Sequence, residues 1–593
     1  MARPLIARAI DIIERRFKRE APGILVIEAP TGYGKTVAGP LIFKTVADLG
    51  IAYSFIHSLP LRAIVRDYYL CTLLRAITMG SNTYEKLTSI CRDGNPNILS
   101  EIGAVMSYLG IDNTMVAYQM SERLESLPDI LDIARKEPFF DAKYVVTTID
   151  SLIYNLFRIP VAEIFDRKKH YAIPRLRIFL SALYLDEAHM VFEESEEESQ
   201  IFTSTMEALR VLQQMRVPIV LASATLALKY LKEFRDLVST EVYIVRLSRQ
   251  DRKENNVMEV SDSDFVDKVL SIKWRTELIL DQNVIPKTIE LVETGLRVFI
   301  ACDTVASAMQ RYREIVKRLD RSRIALLHGL MTRGDREKAL DKLRNASILV
   351  ATSVVEAGVN ISFDVLISDG GRIPSIVQRA GRVCRDLKCD EASVYLVRNK
   401  SLDVVNSFVE KVHNEGKEVC WRISFDLGNY VGYSHLLEDV NTPKKDPELR
   451  RILSSLYAPL FISSDTINTL LERAEYALAR VSLVETLISD PEEIKSWDRP
   501  SVLKHSMPLP VNCINKLLAK NCVLGLIALY GSNGVDEARI ICKATDLVNS
   551  RRFFSIKRYI THLRDAFKEE HDILFIGLLI KKNCYVEGEG LNI

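Results

Sequence analysis

Ala29-Pro-Thr-Gly-Tyr-Gly-Lys-Thr36 combines residue types that can hold a chain of phosphates. Gly32 and Gly34 can adopt backbone angles closed to other residues. Their N–H groups can then face phosphate oxygens at a helix N-terminus. Thr31 stands at the crest of this loop, Lys35 would reach the outer phosphates, and Thr36 would offer its hydroxyl to Mg²⁺. Farther along, Leu183-Tyr-Leu-Asp-Glu-Ala-His189 places two carboxylates at the end of an apolar run. There Asp186 would hold Mg²⁺ through water and Glu187 would polarise an attacking water. His189 would couple this end of the site to a second unit. The chemistry indicated is hydrolysis of a nucleoside triphosphate, with ATP and Mg²⁺ as cofactors.

Such residues need a scaffold that presents them from strand ends. Ile24 to Ile27 is a short apolar run entering the loop, and a helical pattern resumes at Lys35. Further apolar runs recur at 52–57, 144–148, 178–185, 219–222, 298–302, 325–328, 348–351, 365–368 and 393–397, most of them separated by helical stretches. Apolar strands alternating with helices predict parallel sheets covered on both faces. The strands fall into two groups on either side of a charged stretch near 248–266. The expected fold class is α/β, with two RecA-like parallel-sheet domains in tandem. The first would span 1–247, with a helical insertion near 65–140; a linker and the second would fill 248–400. Residues 401–593 read as a mainly α-helical C-terminal domain, with long helices at 466–488 and 511–529.

Composition narrows the class. The 593 residues carry 79 Lys+Arg, 78 Asp+Glu and a net charge of +1, with 48% hydrophobic residues. That excludes general disorder, which needs few apolar residues and high net charge. No apolar run approaches the ~20 residues that cross a bilayer, so no membrane association is expected. No secretory signal is read at the start, and the 10 Cys show no C-x-x-C pair. Neither a zinc ribbon nor a disulfide framework is therefore expected, and the reading is a reducing, cytoplasmic setting. The acidic run 193–198 reads as a solvated face.

Asp186-Glu-Ala-His189 resembles the signature of superfamily 2 helicases, and the loop resembles their shorter A-x-T-G-x-G-K-T form. The remaining motifs follow in order. Ser223-Ala-Thr225 resembles the element linking ATP state to nucleic-acid grip. Ser58-Leu-Pro-Leu-Arg62 and Thr147-Thr-Ile-Asp150 sit where this superfamily touches the nucleic-acid backbone. Ala351-Thr-Ser-Val-Val-Glu-Ala-Gly-Val-Asn360 and Gln378-Arg-Ala-Gly-Arg-Val-Cys-Arg385 complete the set. The resemblance implies that Gly358 lies at the nucleotide, Gln378 meets the γ-phosphate or attacking water, and Arg382 and Arg385 are arginine fingers. A planar guanidinium can bridge two phosphate oxygens as charge develops.

The stretch from Ala351 to Arg385 is similar to the helicase of type I CRISPR interference, and so are His57-Ser-Leu-Pro-Leu-Arg and Val145-Val-Thr-Thr-Ile-Asp-Ser-Leu. The resemblance covers roughly 20–400. It implies an ATP-dependent translocase moving 3′ to 5′ on single-stranded DNA, recruited by a guide-RNA effector complex. Many members carry an HD nuclease ahead of the helicase. Here the phosphate loop begins at residue 29, so the expectation is a stand-alone helicase subunit, type I-A-like, served by a separate HD nuclease. His571-Asp572 is not read as such a site. The alternative is a superfamily 2 DNA-repair or RNA helicase.

Grip on a backbone needs hydroxyls, amides and a few Arg. The candidates are Arg62, Thr147, Thr148, Thr304 and Thr352. Arg551-Arg-Phe-Phe-Ser-Ile-Lys-Arg558 is a weaker candidate for base stacking, since such a pattern is also an amphipathic helix.

Overall fold

The structure is a computed structural model that describes residues 2–18, 22–91, 95–120, 133–158, 170, 172–192, 199–226, 241–353, 361–438, 443–457, 483–531, 534–544 and 573–591. The acidic run 193–198, Arg551–Arg558, His571-Asp572 and Gly358 lie outside these, as does the side chain of Thr36.

The first sheet holds β1 (Ile24–Glu28), β2 (Ser54–Leu59), β3 (Val116–Gln119), β4 (Tyr144–Thr148), β5 (Ser181–Leu185), β6 (Ile219–Ser223), β7 (Val242–Leu247), β8 (Arg252–Glu254) and β9 (Val257–Val260). Their order is β3-β4-β2-β5-β6-β1-β7-β9-β8. All pairings are parallel except β8 with β9. β1 lies between β6 and β7, and its residues Ile24 to Ile27 are buried. Strands buried on both faces need continuous apolar sequence, and β1 and β6 have it over their first four residues.

The second sheet holds β10 (Lys273–Ile279), β11 (Val298–Ala301), β12 (Ile324–Leu327), β13 (Ile348–Ala351), β14 (Val365–Ser368) and β15 (Glu391–Val397), in the order β10-β15-β14-β11-β13-β12, all parallel. Alternation along β11 divides its side chains. Phe299 and Ala301 join the apolar core continuous with the first sheet, while Val298 and Ile300 face a second cluster. The tandem parallel α/β architecture is as expected, although β8 and β9 carry the first sheet past residue 247.

Three expectations are corrected. β3 lies within the span read as a helical insertion. It has only four residues, too few to show a period, and it is fully buried beside β4.

Among the described residues the C-terminal region is also not mainly helical, and positions 466–482 of the helix expected over 466–488 lie outside them. After the short pair β16 (Glu418–Cys420) and β17 (Tyr430–Gly432), the strands β18 (Leu483–Ile488), β19 (Ser506–Pro510), β20 (Val523–Tyr530), β21 (Glu537–Lys543) and β22 (Ile573–Ile580) form a sheet ordered β19-β18-β22-β20-β21. The helix read over 511–529 ends at Ala519, and β20 follows. Continuous apolar runs cannot be assigned by period. Here β20 and β22 are buried on both faces: Leu526 and Leu578 face one cluster, Ile527 and Leu579 the other. Gly577 permits the close pairing, because a Cβ there would lie 2.2 Å from the Glu485 carbonyl oxygen.

The third correction concerns cysteine. Cys71–Cys91, Cys384–Cys389 and Cys522–Cys584 are disulfides. No C-x-x-C spacing announces them, since their partners lie 20, 5 and 62 residues apart. Cys522 precedes β20, Cys584 follows β22, and the antiparallel pairing of these strands joins the two ends. The inference from cysteine usage to a reducing compartment is thereby withdrawn. Among the described residues, no helix is long and apolar enough to cross a membrane.

After β22 a hairpin of β23 (Tyr585–Val586) and β24 (Gly590–Leu591) docks on the second sheet. Tyr585 Oη donates to Asp335 at 2.8 Å, the Gly588 N–H donates to the same carboxylate at 2.7 Å, and the Leu591 N–H donates to Leu330 O at 2.9 Å.

Candidate nucleotide site and nucleic-acid face

The phosphate loop leaves β1 at its C-terminal end, where parallel sheets bind ligands. Gly32 and Gly34 have φ of +76° and +105°, the left-handed conformations that glycine tolerates. Gly34 caps the helix Lys35–Asp48, and the N–H groups of Val37 and Ala38 donate to its carbonyl. Lys35 is buried, with Nζ 3.1 Å from Ala29 O and 3.2 Å from Pro30 O. Its ammonium is thus stored against the loop's own carbonyls. Tyr33, in the loop's variable position, is also buried and donates to Asp262 Oδ2 at 2.6 Å. This anchor to the stretch read as a linker was not anticipated; an aromatic inside a glycine loop was its only sequence signal.

Asp186 follows β5 and is 2% exposed. Its N–H donates to Ser58 O at 3.0 Å, and its Oδ1 accepts the Glu187 N–H at 2.9 Å. His57, on the neighbouring β2, brings Nε2 within 3.7 Å of Asp186 Oδ2, while its Nδ1 meets Tyr144 Oη at 2.9 Å. His57 entered the sequence reading only as part of a motif. Burial and the Asp186 charge raise the Glu187 carboxyl, while Lys35 and Arg385 pull it back. Burial is the largest of these effects. Glu187 therefore faces both the phosphate-loop lysine and the arginine loop, residues 381–385.

β6 lies between β5 and β1, so Ser223 at its end stands between the acids and the loop. His189 Nδ1 is 3.5 Å from Glu187 Oε2 and 3.3 Å from Ser223 Oγ, which accepts the Thr225 N–H at 3.1 Å. The coupling trio His189, Ser223 and Thr225 is therefore contiguous with the acid pair.

The helix Ile373–Ala380 of the second sheet brings its C-terminal end to the loop. Thr31 Oγ1 donates to Gln378 Oε1 at 3.2 Å. Arg382 is buried, and burial pulls the Arg385 guanidinium down, with Glu187 opposing. Two residues outside every motif also reach this region. Arg422 Nη1 donates to Gly381 O at 2.8 Å, and Tyr433 Oη donates to Ala224 O at 3.1 Å. No sequence signal marked either one.

The nucleic-acid candidates divide. Arg62, Thr304 and Thr352 follow the C-terminal ends of β2, β11 and β13. Thr304 is exposed, but its Oγ1 accepts the Ser307 N–H as a helix cap. Thr147 and Thr148 do not present free hydroxyls. Thr147 is fully buried and donates to Gln119 O at 2.7 Å, and Thr148 caps the helix Ile149–Leu156. Both hydroxyls serve the fold, which corrects the expectation that they contact phosphate.

The family model described as CRISPR-associated nuclease/helicase Cas3, C-terminal, matches residues 294–388. The chain is 25% identical over 390 residues to the CRISPR-associated endonuclease/helicase Cas3 of Escherichia coli, covering 62% of this chain and 41% of that protein. The chain is similar to the Cas3 helicases over this region. A second relative, the CRISPR-associated helicase Cas3 of Thermoproteus tenax, is 22% identical over 399 residues, 66% of this chain and 58% of its own length. The chain thus matches about half the length of these relatives. Among solved structures, T. fusca Cas3–ADP superposes with a TM-score of 0.55 and T. fusca Cas3–ATP with 0.53. Each is 17% identical and covers 86% of this chain and 64% of the other. At that identity the likeness establishes the fold.

Proposed function

We propose that this chain is an ATP-dependent translocase and helicase that moves 3′ to 5′ on single-stranded DNA and unwinds target DNA in type I CRISPR interference. The observation that carries the motor reading is the meeting of the phosphate loop and the arginine loop at one cleft, with Thr31 hydrogen-bonded to Gln378 and Glu187 electrostatically linked to both Lys35 and Arg385. ATP would be held by Thr31, Gly32, Gly34 and Lys35, with Gly358 and Thr36 adding contacts on the family pattern. Lys35 would leave the Ala29 and Pro30 carbonyls for the phosphates. Arg382 and Arg385 would meet charge developing on the γ-phosphate, and Glu187 would orient and deprotonate the attacking water.

The donor set fits Mg²⁺, which takes one or two carboxylates plus phosphate oxygens and water. Asp186, with Thr36, would hold it, and the adjacent acids Asp186 and Glu187 concentrate the negative charge that a divalent cation offsets. When bound, the ion would neutralise phosphate charge.

Strand grip would come from Arg62, Thr304 and Thr352 together with backbone amides. Because β8 and β9 belong to the first sheet, the limit expected at 247 moves to about residue 260, with 400 and 401–593 kept as working boundaries. A separate HD nuclease and a guide-RNA effector complex are the partners in this reading. It rests on the CRISPR-associated relatives, one of which carries the description helicase alone. Fluorescent strand displacement tests it. Purified protein with ATP should release a strand from a DNA duplex bearing a 3′ overhang faster than from one bearing a 5′ overhang. Preference for an RNA tracking strand would favour the repair or RNA helicase alternative.

A further inference from the structure

A buried unit outside the motifs spans the arginine loop and the Ser223-Ala-Thr225 element. β16 (Glu418–Cys420) and β17 (Tyr430–Gly432) pair in parallel, and the chain between them folds back. The Tyr433 N–H donates to Ile423 O at 3.2 Å and the Ser434 N–H to Ser424 O at 3.0 Å. These bonds hold Arg422 and Tyr433 at neighbouring points of one compact turn. Trp421 anchors the turn to the second sheet, its Nε1 donating to Thr276 Oγ1 at 3.0 Å.

The two side chains reach in different directions. Arg422 is 1% exposed, and Nη1 and Nη2 donate to the carbonyls of Gly381 and Arg385, at 2.8 and 3.4 Å. Those carbonyls bracket Arg382 and Arg385. The same guanidinium lies beside the phosphate loop, where a Cβ added to Gly32 would come within 3.2 Å of Nη2. No carboxylate pairs with Arg422 among the described residues. A buried cation without a counter-charge is costly, and burial pulls this one down to about 10, with Arg385 adding to the effect. Tyr433, also buried, donates instead to Ala224 O, inside Ser223-Ala-Thr225. One rigid turn therefore holds the backbone of the arginine loop with one side chain and the backbone of the coupling element with the other.

We propose that Arg422 and Tyr433 are positioning residues that register the arginine loop against Ser223-Ala-Thr225, so that nucleotide state is passed to strand grip. The inference rests on the motor reading above. It assigns the transmission to two residues that no helicase motif contains. Movement of Arg382 and Arg385 toward the γ-phosphate shifts the Gly381 and Arg385 carbonyls. Through Arg422 and the turn, that shift reaches Ala224 and its neighbours at the end of β6.

The experiment uses the full chain and three proteins: wild type, Tyr433→Phe and Arg422→Lys. ATP turnover is measured at saturating ATP with and without an unstructured single-stranded DNA, alongside the thermal midpoint. Y433F deletes one hydrogen bond and keeps the ring. It should lower the DNA stimulation ratio by about three- to tenfold, with its thermal midpoint within about 2 °C of wild type. R422K keeps the charge but cannot span two carbonyls. It should lower kcat at least about tenfold while KM for ATP changes less than about twofold. If wild type is stimulated and both variants match it, the inference is overturned. If activity falls only in step with the thermal midpoint, the pair is merely structural and the inference is again overturned. A wild type that DNA does not stimulate would instead defeat the motor reading itself.

Discussion

Gly381→Ala isolates cleft closure from folding. Gly381 follows the helix Ile373–Ala380 with φ −64° and ψ −5°, a helical conformation that Ala adopts freely. Within its own domain the change should be neutral or slightly stabilising, by about 0.5 kcal/mol. The obstacle is across the cleft. A Cβ at this position would lie 2.8 Å from Thr31 Oγ1 and 2.9 Å from Thr31 Cβ, with Gln378 O at 3.3 Å. Carbon contacts are favourable near 3.5 Å or beyond, so the arginine loop and the phosphate loop must separate by roughly 0.6 Å. Overpacking of this kind costs about 1–3 kcal/mol. If the cost falls on the closed, hydrolysing state, kcat drops by about 5- to 150-fold. Nucleotide held mainly by the phosphate loop should bind with affinity within about threefold of wild type, because that part of the binding is made without closure. Steady-state ATP turnover, fluorescent-nucleotide titration and a thermal melt supply the three readings. A G381A protein with wild-type kcat and wild-type melting would refute the claim that these two loops close directly on one another.

The other predictions address separate parts of the structure. Lys35→Ala removes the only side-chain cation of the phosphate loop, and ATP turnover should fall at least about a hundredfold; substantial turnover in a coupled-enzyme assay would contradict the site. His328 is buried and neutral, its Nε2 2.7 Å from Glu589 O and its Nδ1 accepting the Leu330 N–H, and burial lowers its pKa from 6.5 to about 4. The unfolded chain therefore takes up this proton first as pH falls. The His328 contribution is complete above about pH 6.5 and declines toward pH 4, by at most about 3 kcal/mol. Thermal midpoints at pH 7.5 and 5 should differ more for wild type than for His328→Gln; equal differences would show that the imidazole is not responsible. The Cys522–Cys584 bond closes a separation of 62 residues, which in the chain-entropy account stabilises by about 4 kcal/mol. The Cys522→Ser protein should melt lower than wild type without reductant and no differently with it, and coincident non-reducing melts would argue against the cross-link.

The parallel sheets were readable because strands buried on both faces must be apolar throughout. β4, β13 and β14 fall on 144–148, 348–351 and 365–368 as expected. The loops at their ends were readable because phosphate chemistry restricts residue type: glycine at positive φ, one lysine, adjacent acids. The same apolar signal failed at Val523–Tyr530 and Ile573–Ile580, where a run buried on both faces has no period to separate strand from helix. Thr147 shows the converse limit. A hydroxyl suited to phosphate is equally suited to a neighbouring carbonyl, and packing beside β3 decided between them. Arg422 and the cystines were hidden for a related reason. What makes Arg422 and Cys522 significant is a partner far away in sequence, Gly381 O for one and Cys584 for the other.

The central claim is that the phosphate loop, the acid pair and the arginine loop form a motor that responds to a DNA strand. ATP turnover of the wild-type chain, measured with Mg²⁺ in the presence and absence of single-stranded DNA and of RNA of the same length, tests it most directly. The account predicts hydrolysis stimulated several-fold by single-stranded DNA and less by RNA. Hydrolysis indifferent to DNA, or none under any of these conditions, would contradict it.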